Sequence, residues 1–558
     1  MEGSELRRRM DAAAAEPGAG AGAPSPAPPH GAPPGMGVRD ALRRLGRAPR
    51  TGAPLRTPSG LAGGEPIAIM PLDRAAPRAA AHAASAARAA APEARLRGPA
   101  SGPPPPPPPT PPRAATGRRG APGAGDAEHR GDASGRSFLL LQGPHGPFLA
   151  ELALALRARG ADVARIAFNA GDAACWRLQG GADPGPLLRF DAPFAEFELR
   201  LGRWIRERAA TDLVLYGDTR PFHAVARRLG RALGLRVHCF EEGYIRPRWI
   251  TYERDGVNGN SNILKVPVEE MIRAVRAAGP APEALFEDGW GAARAHALHG
   301  VRYHARVRLA AAAPWTRWPR QAPHMPLTGW CEARAYLRRG LTWPLMAHRA
   351  RRALAPLLAP DAPGHHLALL QLGADSSLRA HSRFPDVAAV VERIVADYAA
   401  AEGGLSGLPL VFKAHPFETG RERLARAAAR AARRHGVAGR VVFVERGPLG
   451  PMLDKAVSAV TVNSTAAQAA LLRGLPVRAM GEAVFVRPGL VSTQPPAAFF
   501  AAPLAPDMEA VRAFRRFLVA SSQFEGDFYT PEGRARAIGP VIEAMLARRD
   551  PYARALAR

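Results

Sequence analysis

Two separate sets of short apolar runs, each interleaved with amphipathic segments, constrain this chain more than any other feature. The first set falls at 138–141, 162–168, 213–216 and 236–240, with helical patterns at 148–159 and 223–233. The second falls at 366–372, 408–414, 440–444 and 459–462, again with helices between. Runs this short are strand-sized, and strands separated by amphipathic helices build a parallel, doubly wound sheet. The sequence therefore predicts an α/β chain with two Rossmann-like lobes facing a cleft. Its divisions are a first lobe over 137–265, a helical connector over 266–363, a second lobe over 364–500 and C-terminal helices over 501–558. Open sheets of this class bind ligands beyond the C-terminal ends of their strands, so the site is expected in the cleft.

The stretch 1–136 has a different character. It is made mostly of Ala, Pro, Gly and Arg and includes an unbroken proline run at 103–109. Too few large apolar side chains are present to offset ordering entropy, so a disordered tail is expected. The charge is not confined to that tail. Of 76 basic residues only Lys265, Lys413 and Lys455 are lysines, and the net charge is +27. Residues beyond 136 still hold 57 basic and 38 acidic side chains. Anionic partners are favoured: nucleotide sugars, phospholipid head groups or nucleic acid. No zinc-finger or RNP pattern supports the last, so no nucleic-acid partner is expected. Cys175, Cys239 and Cys331 form no C-x-x-C, which fits a reducing compartment and argues against a cysteine-based zinc site. No apolar run reaches about 18 residues, and the basic N-terminus lacks a secretory apolar core, so a cytoplasmic location is expected. In the connector, Trp290, Trp315, Trp318, Trp330 and Trp343 alternate with many arginines. Ordinary helical packing would explain that, and so would a surface suited to lipid head groups.

Polar residues collect where the strands end. The first strand is followed by Gln142-Gly-Pro-His145, the second by Asn169-Ala-Gly-Asp172, and the third by Gly217-Asp218-Thr-Arg220-Pro-Phe-His223. The fourth leads into Glu241-Glu242-Gly-Tyr-Ile-Arg246-Pro, then Gly256-Val-Asn258-Gly-Asn-Ser. Any one of these could be turn chemistry, but four strand ends in succession carrying Asp, His, Glu and Arg describe a site. The second half repeats the arrangement with Gln371 and Asp375, Lys413-Ala-His415-Pro, Glu445-Arg446 and Asn463-Ser464-Thr465. That last triplet opens a helical pattern at 466–473. Ser/Thr capping and phosphate binding both fit it alone, and Lys413 and His415 nearby favour phosphate.

The series QGPHGPF, FNAGD, GDTRPFH, EEGYIRP, GVNGNS, KAHP, VNSTAAQAAL and GLPVRAMGEAVF resembles the KpsS/LipB branch of the capsular polysaccharide synthesis/export family. It spans about 138–489 in family order. His145 and Ala170 stand where that pattern is variable or glycine-like, and the tail has no counterpart in it. The resemblance implies a GT-B-like, retaining β-Kdo transferase, taking CMP-Kdo as donor and a phosphatidylglycerol-type lipid as acceptor at the inner-membrane surface. Other capsule assembly proteins are implied as further partners. Glu242 would be the catalytic carboxylate, acting as nucleophile or as base toward the acceptor hydroxyl. Glu241 would orient it or serve as the other acid/base, with Asp218 and His223 as further candidates. Lys413, His415, Asn463, Ser464 and Thr465 would hold the CMP phosphate, and Gln371 and Asp375 would read the sugar or base. Gln142, Asn169, Asp172, Arg220, His223, Arg246 and Asn258 would line the cleft. Glu287-Asp-Gly289 also reads acid-acid-Gly, but it follows a helical pattern and is set aside. A phosphate-monoester leaving group needs no metal, and the chain contains no D-x-D, so neither metal nor cofactor is expected. A second reading, suggested by the family's older name, is a non-catalytic adaptor for polysaccharide export. A scaffold would not need this set of charged residues at strand ends.

Overall fold

The computed structural model of the chain describes residues 132–178, 180–279, 292–312, 329–373, 375–418, 420 and 422–557. The tail up to residue 131, the acid-acid-Gly at 287–289 and Trp290, Trp315 and Trp318 lie outside the described residues, as does the side chain of Trp330.

Ser137–Leu140 (β1) is buried along its whole length, as a central strand must be when helices cover both faces. Phe148–Arg157 (α1) follows and packs Phe148, Leu149, Leu152, Ala153 and Leu156 inward, the spacing of a single helix face. The first lobe continues with Asp162–Ala167 (β2), Ala170–Ala174 (α2), Leu187–Arg189 (β3) and Phe197–Glu207 (α3). Asp212–Tyr216 (β4), Pro221–Ala232 (α4), Arg236–Glu242 (β5) and Trp249–Arg254 (β6) complete its N-terminal part. The connector supplies Val268–Ala277 (α5), Ala293–Ala312 (α6) and Gly329–Leu354 (α7).

The second lobe contains His365–Leu369 (β7), Ser376–Ala380 (α8), Val387–Ala399 (α9), Leu410–Lys413 (β8) and Leu424–Arg434 (α10). It goes on through Val441–Val444 (β9), Leu449–Asp454 (α11), Ala456–Thr461 (β10), Ala467–Leu472 (α12), Val477–Ala479 (β11) and Pro496–Ala501 (α13). Its sheet is parallel in the order β11-β10-β7-β8-β9. The chain ends with Met508–Ser521 (α14), Gln523–Glu525 (β12), Pro531–Leu546 (α15) and Pro551–Leu556 (α16).

The α/β class and the two Rossmann-like lobes expected from the sequence are present. The first sheet differs from a purely parallel one. Its order is β12-β6-β5-β4-β1-β2-β3, and both β6 and β12 run antiparallel to their neighbours. The strand expected at 236–240 extends through Glu242, because Glu241 and Glu242 pair with Thr251 and Ile250 of the returning β6. The acids are therefore in the strand and not beyond it.

The C-terminal stretch expected to be helical contains β12, which leaves the second lobe and adds to the edge of the first sheet. In the core of that lobe, Val541, Ile542 and Met545 of α15 join Phe148, Leu152 and Leu156 of α1. Each fully buried side chain of this size is worth about 1.5–3 kcal/mol, so this return holds the first lobe together. A second core runs without a break from Tyr244, Ile263 and Met271 through Phe514 and Phe517 of α14 to Leu367 and Val411 of the second sheet.

Candidate active site

Tyr216 ends β4 and Glu242 ends β5, its parallel neighbour. The Tyr216 hydroxyl donates to Glu242 Oε1 at 2.9 Å, and the Tyr529 hydroxyl donates to the same oxygen at 2.6 Å. No described residue hydrogen-bonds Glu242 Oε2. Burial, with the Glu242 charge adding to it, keeps both phenols well above their ordinary pKa, so they remain donors. Tyr529 is held in place by a capping turn: Asp527 Oδ1 accepts from the backbone N–H of Tyr529 at 2.7 Å and of Thr530 at 2.6 Å. Gly526, at φ 139°, allows the close approach, because a Cβ there would lie 2.2 Å from Gly533 O.

Successive strand side chains point to opposite faces, so Glu241 has different surroundings. Its Oε1 accepts from the Glu242 N–H at 3.0 Å, and its Oε2 accepts from Asn258 Nδ2 at 3.4 Å. Burial pushes its carboxyl up to about 7; the Glu242 N–H and Arg220 oppose the rise, and the charges of Glu242 and Asp375 add to it. Asp375 belongs to the second lobe, so a charge of that lobe is felt at this acid. Gly217 also has a positive φ of 68°, and a Cβ there would stand 3.6 Å from Glu241 Oε2.

The other first-lobe residues singled out by the sequence fall into three groups. Arg220 reaches Gln142 Oε1 at 3.3 Å and lies 5.1 Å over the Tyr216 ring, beside the acid pair. Gln142, Asn169 and Asp172 converge on Tyr303 of α6. Gln142 and Asn169 place their amide nitrogens 2.9 and 2.8 Å from the Tyr303 hydroxyl, which donates to Asp172 Oδ1 at 3.0 Å. Gly171 leaves room for that ring, because a Cβ would sit 2.7 Å from it. Asp218 is buried and clamps the 256–261 loop, accepting from Val257 N at 3.3 Å and Asn260 Nδ2 at 3.0 Å. His223 bonds Gly217 O at 2.8 Å, Arg246 donates to Gly243 O at 3.2 Å, and the Asn258 N–H donates to Tyr244 Oη at 2.7 Å.

In the second lobe, Gln371 Oε1 accepts from the Asn463 N–H at 3.1 Å, and Gln371 Nε2 donates to Asp375 Oδ2 at 3.3 Å. Asn463 Nδ2 donates to Ser377 O at 2.9 Å, while Ser464 Oγ accepts from Ala466 N at 3.3 Å. Thr465 follows at the foot of α12, its carbonyl accepting from Gln468 N. Lys413 ends β8 buried, its pKa lowered by burial, and its Nζ donates to Ala414 O at 3.4 Å. His415 Nδ1 accepts from the Phe417 N–H at 3.1 Å, which leaves the proton of the neutral ring on Nε2.

Helix α6 joins the halves. The His296 ring stands 4.7 Å from Tyr529 and 6.2 Å from Phe417, which lies 5.7 Å from His415. An aromatic path therefore leads from the Tyr529–Glu242 bond to the His415 loop. Burial lowers the His296 pKa, with the Glu242 charge opposing, which favours a neutral ring. A direct lobe-to-lobe bond also exists, from Gln468 Nε2 to Tyr244 O at 2.9 Å. Sequence reasoning missed Tyr216, Tyr303, Tyr529 and His296. Tyr216 was legible as the last residue of a strand, but nothing near Tyr529 in the sequence marks it.

The description "Capsule polysaccharide biosynthesis protein" belongs to a family whose model matches residues 211–529. That match opens beside β4, which carries Tyr216, and closes on Tyr529. Over 399 residues the chain is 30% identical to the capsule polysaccharide export protein KpsS of Escherichia coli, covering 71% of this chain and 97% of that one. Over 408 residues it is 28% identical to the capsule polysaccharide modification protein LipB of Neisseria meningitidis serogroup B, covering 71% and 92%. Among solved structures, the β-Kdo 2,7 transferase KpsC of Thermosulfurimonas dismutans matches with a TM-score of 0.32 and 13% identity, over 64% of this chain and 89% of that one.

Proposed function

The chain belongs to the capsule polysaccharide biosynthesis protein family, and from that premise we propose that it transfers Kdo from CMP-Kdo to a phosphatidylglycerol-type lipid at the cytoplasmic face of the inner membrane. The observation that carries the reading is the Glu242 carboxylate, fixed through one oxygen by Tyr216 and Tyr529. Its other oxygen is left for chemistry.

The residues divide the work between the lobes. Lys413 and the Nε2–H of His415 would take the CMP phosphate, with Asn463, Ser464 and Thr465 beside them, and Gln371 and Asp375 would face the sugar or base. In a double displacement, Glu242 Oε2 attacks the anomeric carbon as the bond to the phosphate breaks and CMP leaves with the electron pair. The acceptor hydroxyl then displaces Glu242 with a second inversion, so configuration is retained. In a direct displacement Glu242 would take the hydroxyl proton instead, and the single inversion would give the opposite anomer, so product stereochemistry separates the two schemes. Glu241, titrating near neutrality, suits the exchange of that proton in the first scheme.

The test is direct. The purified chain, CMP-Kdo and a fluorescent short-chain phosphatidylglycerol should give a product heavier by one Kdo in mass spectrometry, and Glu242→Gln should abolish it. Tight CMP-Kdo binding with no transfer to any lipid would return the chain to the adaptor reading.

A further inference from the structure

Helix α6 has two unlike faces. Inward it presents His296 and Tyr303 to the site, and Gly300 lies against His145, whose Nδ1 would be 3.6 Å from a Cβ at that position. Outward, Leu298, Val301 and Leu309 are 50%, 68% and 67% exposed. At 3.6 residues per turn, Leu298, Val301, Ala305 and Leu309 fall within an arc of about 80°, opposite Tyr303. Exposed Arg302 and Arg306 flank one side of that stripe and exposed Arg308 the other. The whole helix contains no acidic residue. On α7, Leu341, Trp343 and Leu345 are also at least half exposed, and the Arg446 guanidinium covers the Trp343 ring at 3.7 Å. Among the described residues no helix is long and apolar enough to cross a membrane.

A helix whose outer side carries a narrow apolar stripe between arginines matches the surface of an anionic bilayer. The apolar side chains enter the acyl boundary, while the guanidinium groups reach back to the phosphates. Scattered surface leucines need no such explanation, but an aligned stripe with cations on both margins does. We propose that the outer face of α6 docks the protein on an anionic bilayer, so that one helix rests on the membrane and walls the Glu242 site. The docking half of this inference stands by itself; that the bilayer also supplies the acceptor rests on the function proposed above.

The full chain should sediment with vesicles containing phosphatidylglycerol and not with pure phosphatidylcholine. The triple variant Leu298→Ser, Val301→Ser, Leu309→Ser should bind the anionic vesicles about tenfold or more less well, with its melting temperature kept. Its transfer to a soluble short-chain acceptor should be unchanged, while transfer to vesicle-embedded acceptor falls with binding. Reversing the charges of Arg302, Arg306 and Arg308 to Glu gives an independent variant should the first one misfold. Unaltered vesicle binding in a folded variant overturns the proposal. So does an oligomer that the serine substitutions split, which would mean a second copy covers the stripe. Loss of docking together with an absence of transfer in every variant and the parent would sink the enzymatic reading and leave the docking surface standing.

Discussion

Glu241 and Glu242 are adjacent in one strand, yet their hydrogen-bond partners differ, and the function proposed above gives them different work. Glu242→Gln keeps the volume and the two tyrosine bonds while removing the charge, so turnover should fall about 100-fold or more with CMP-Kdo still bound. Calorimetric titration beside the transfer assay separates those outcomes, and near-normal turnover would pass the role to Asp218. Tyr529→Phe removes one hydrogen bond to a charged oxygen and leaves the ring packed. At about 1.5–3 kcal/mol for such a bond, kcat should drop about 10- to 100-fold. A merely structural role would spare kcat or change folding, whereas a positioning role moves kcat at constant donor KM. Glu241 makes a pH argument. Its carboxyl, raised to about 7 by burial, is mostly protonated below that pH and ionised above it. If it accepts the acceptor's proton, kcat/KM should climb as pH rises through about 7, and Glu241→Gln should flatten that limb. At this scale the sequence was most informative where a side chain ended a strand, and silent on Tyr529. A tyrosine's task depends on what its hydroxyl meets, and Tyr529 lies 287 residues along the chain from its partner.

Among the elements, β6 makes a demand that the sequence hid. It carries Glu253, fully buried, which accepts from the Ser261 hydroxyl and whose carboxyl is pushed up to about 8 by burial, with Ser261, Tyr244 and Tyr552 opposing and Asp218 adding. A raised acid binds its proton more tightly when folded than at its ordinary 4.5. Its contribution is therefore complete below about 4.5 and is lost as pH rises through about 8. Buried His238, His365 and His366 act from the other side. Burial lowers each to about 4, so the stability they allow is present above about 6.5 and lost as pH falls toward 4. The denaturation midpoint should thus peak between these limits, and Glu253→Gln should remove much of the alkaline decline while leaving the acid limb. Strand existence was legible from apolar runs, as β1, β4 and β8 testify. Strand partnership was not, since three residues such as Gln523–Glu525 become a strand only by pairing with β6. In α6 the helical pattern was visible, but its inward tyrosine and outward stripe required knowing which side the lobe occupies.

For the molecule as a whole, the two-lobe plan could be read from the interleaved runs, because each lobe repeats one local grammar of strand, polar end and helix. The expected break at residue 136 is less sharp. Arg136 already belongs to the first lobe: its guanidinium pairs with buried Asp212 and donates to Met545 O at 3.2 Å, and the Ala133 N–H bonds Arg159 O at 2.7 Å. Burial alone would raise Asp212, but His238 and Arg136 hold it well below the usual carboxylate range. Removing residues 1–131 should leave melting and transfer intact. Removing 1–136 strips one partner from a buried ion and should cost about 3–5 kcal/mol, read as a lower denaturant midpoint. Closure of the first lobe by the last part of the chain has a bearing on how the protein is made. Translation at about 5–20 residues per second needs roughly 15–60 s to pass from Glu242 to Tyr529. Throughout that interval the nascent lobe holds an open β6 edge and a carboxylate lacking its second phenol. Synthesis thus reaches Tyr529 only after β12, the strand that covers the β6 edge and closes it to pairing with another chain, has been made.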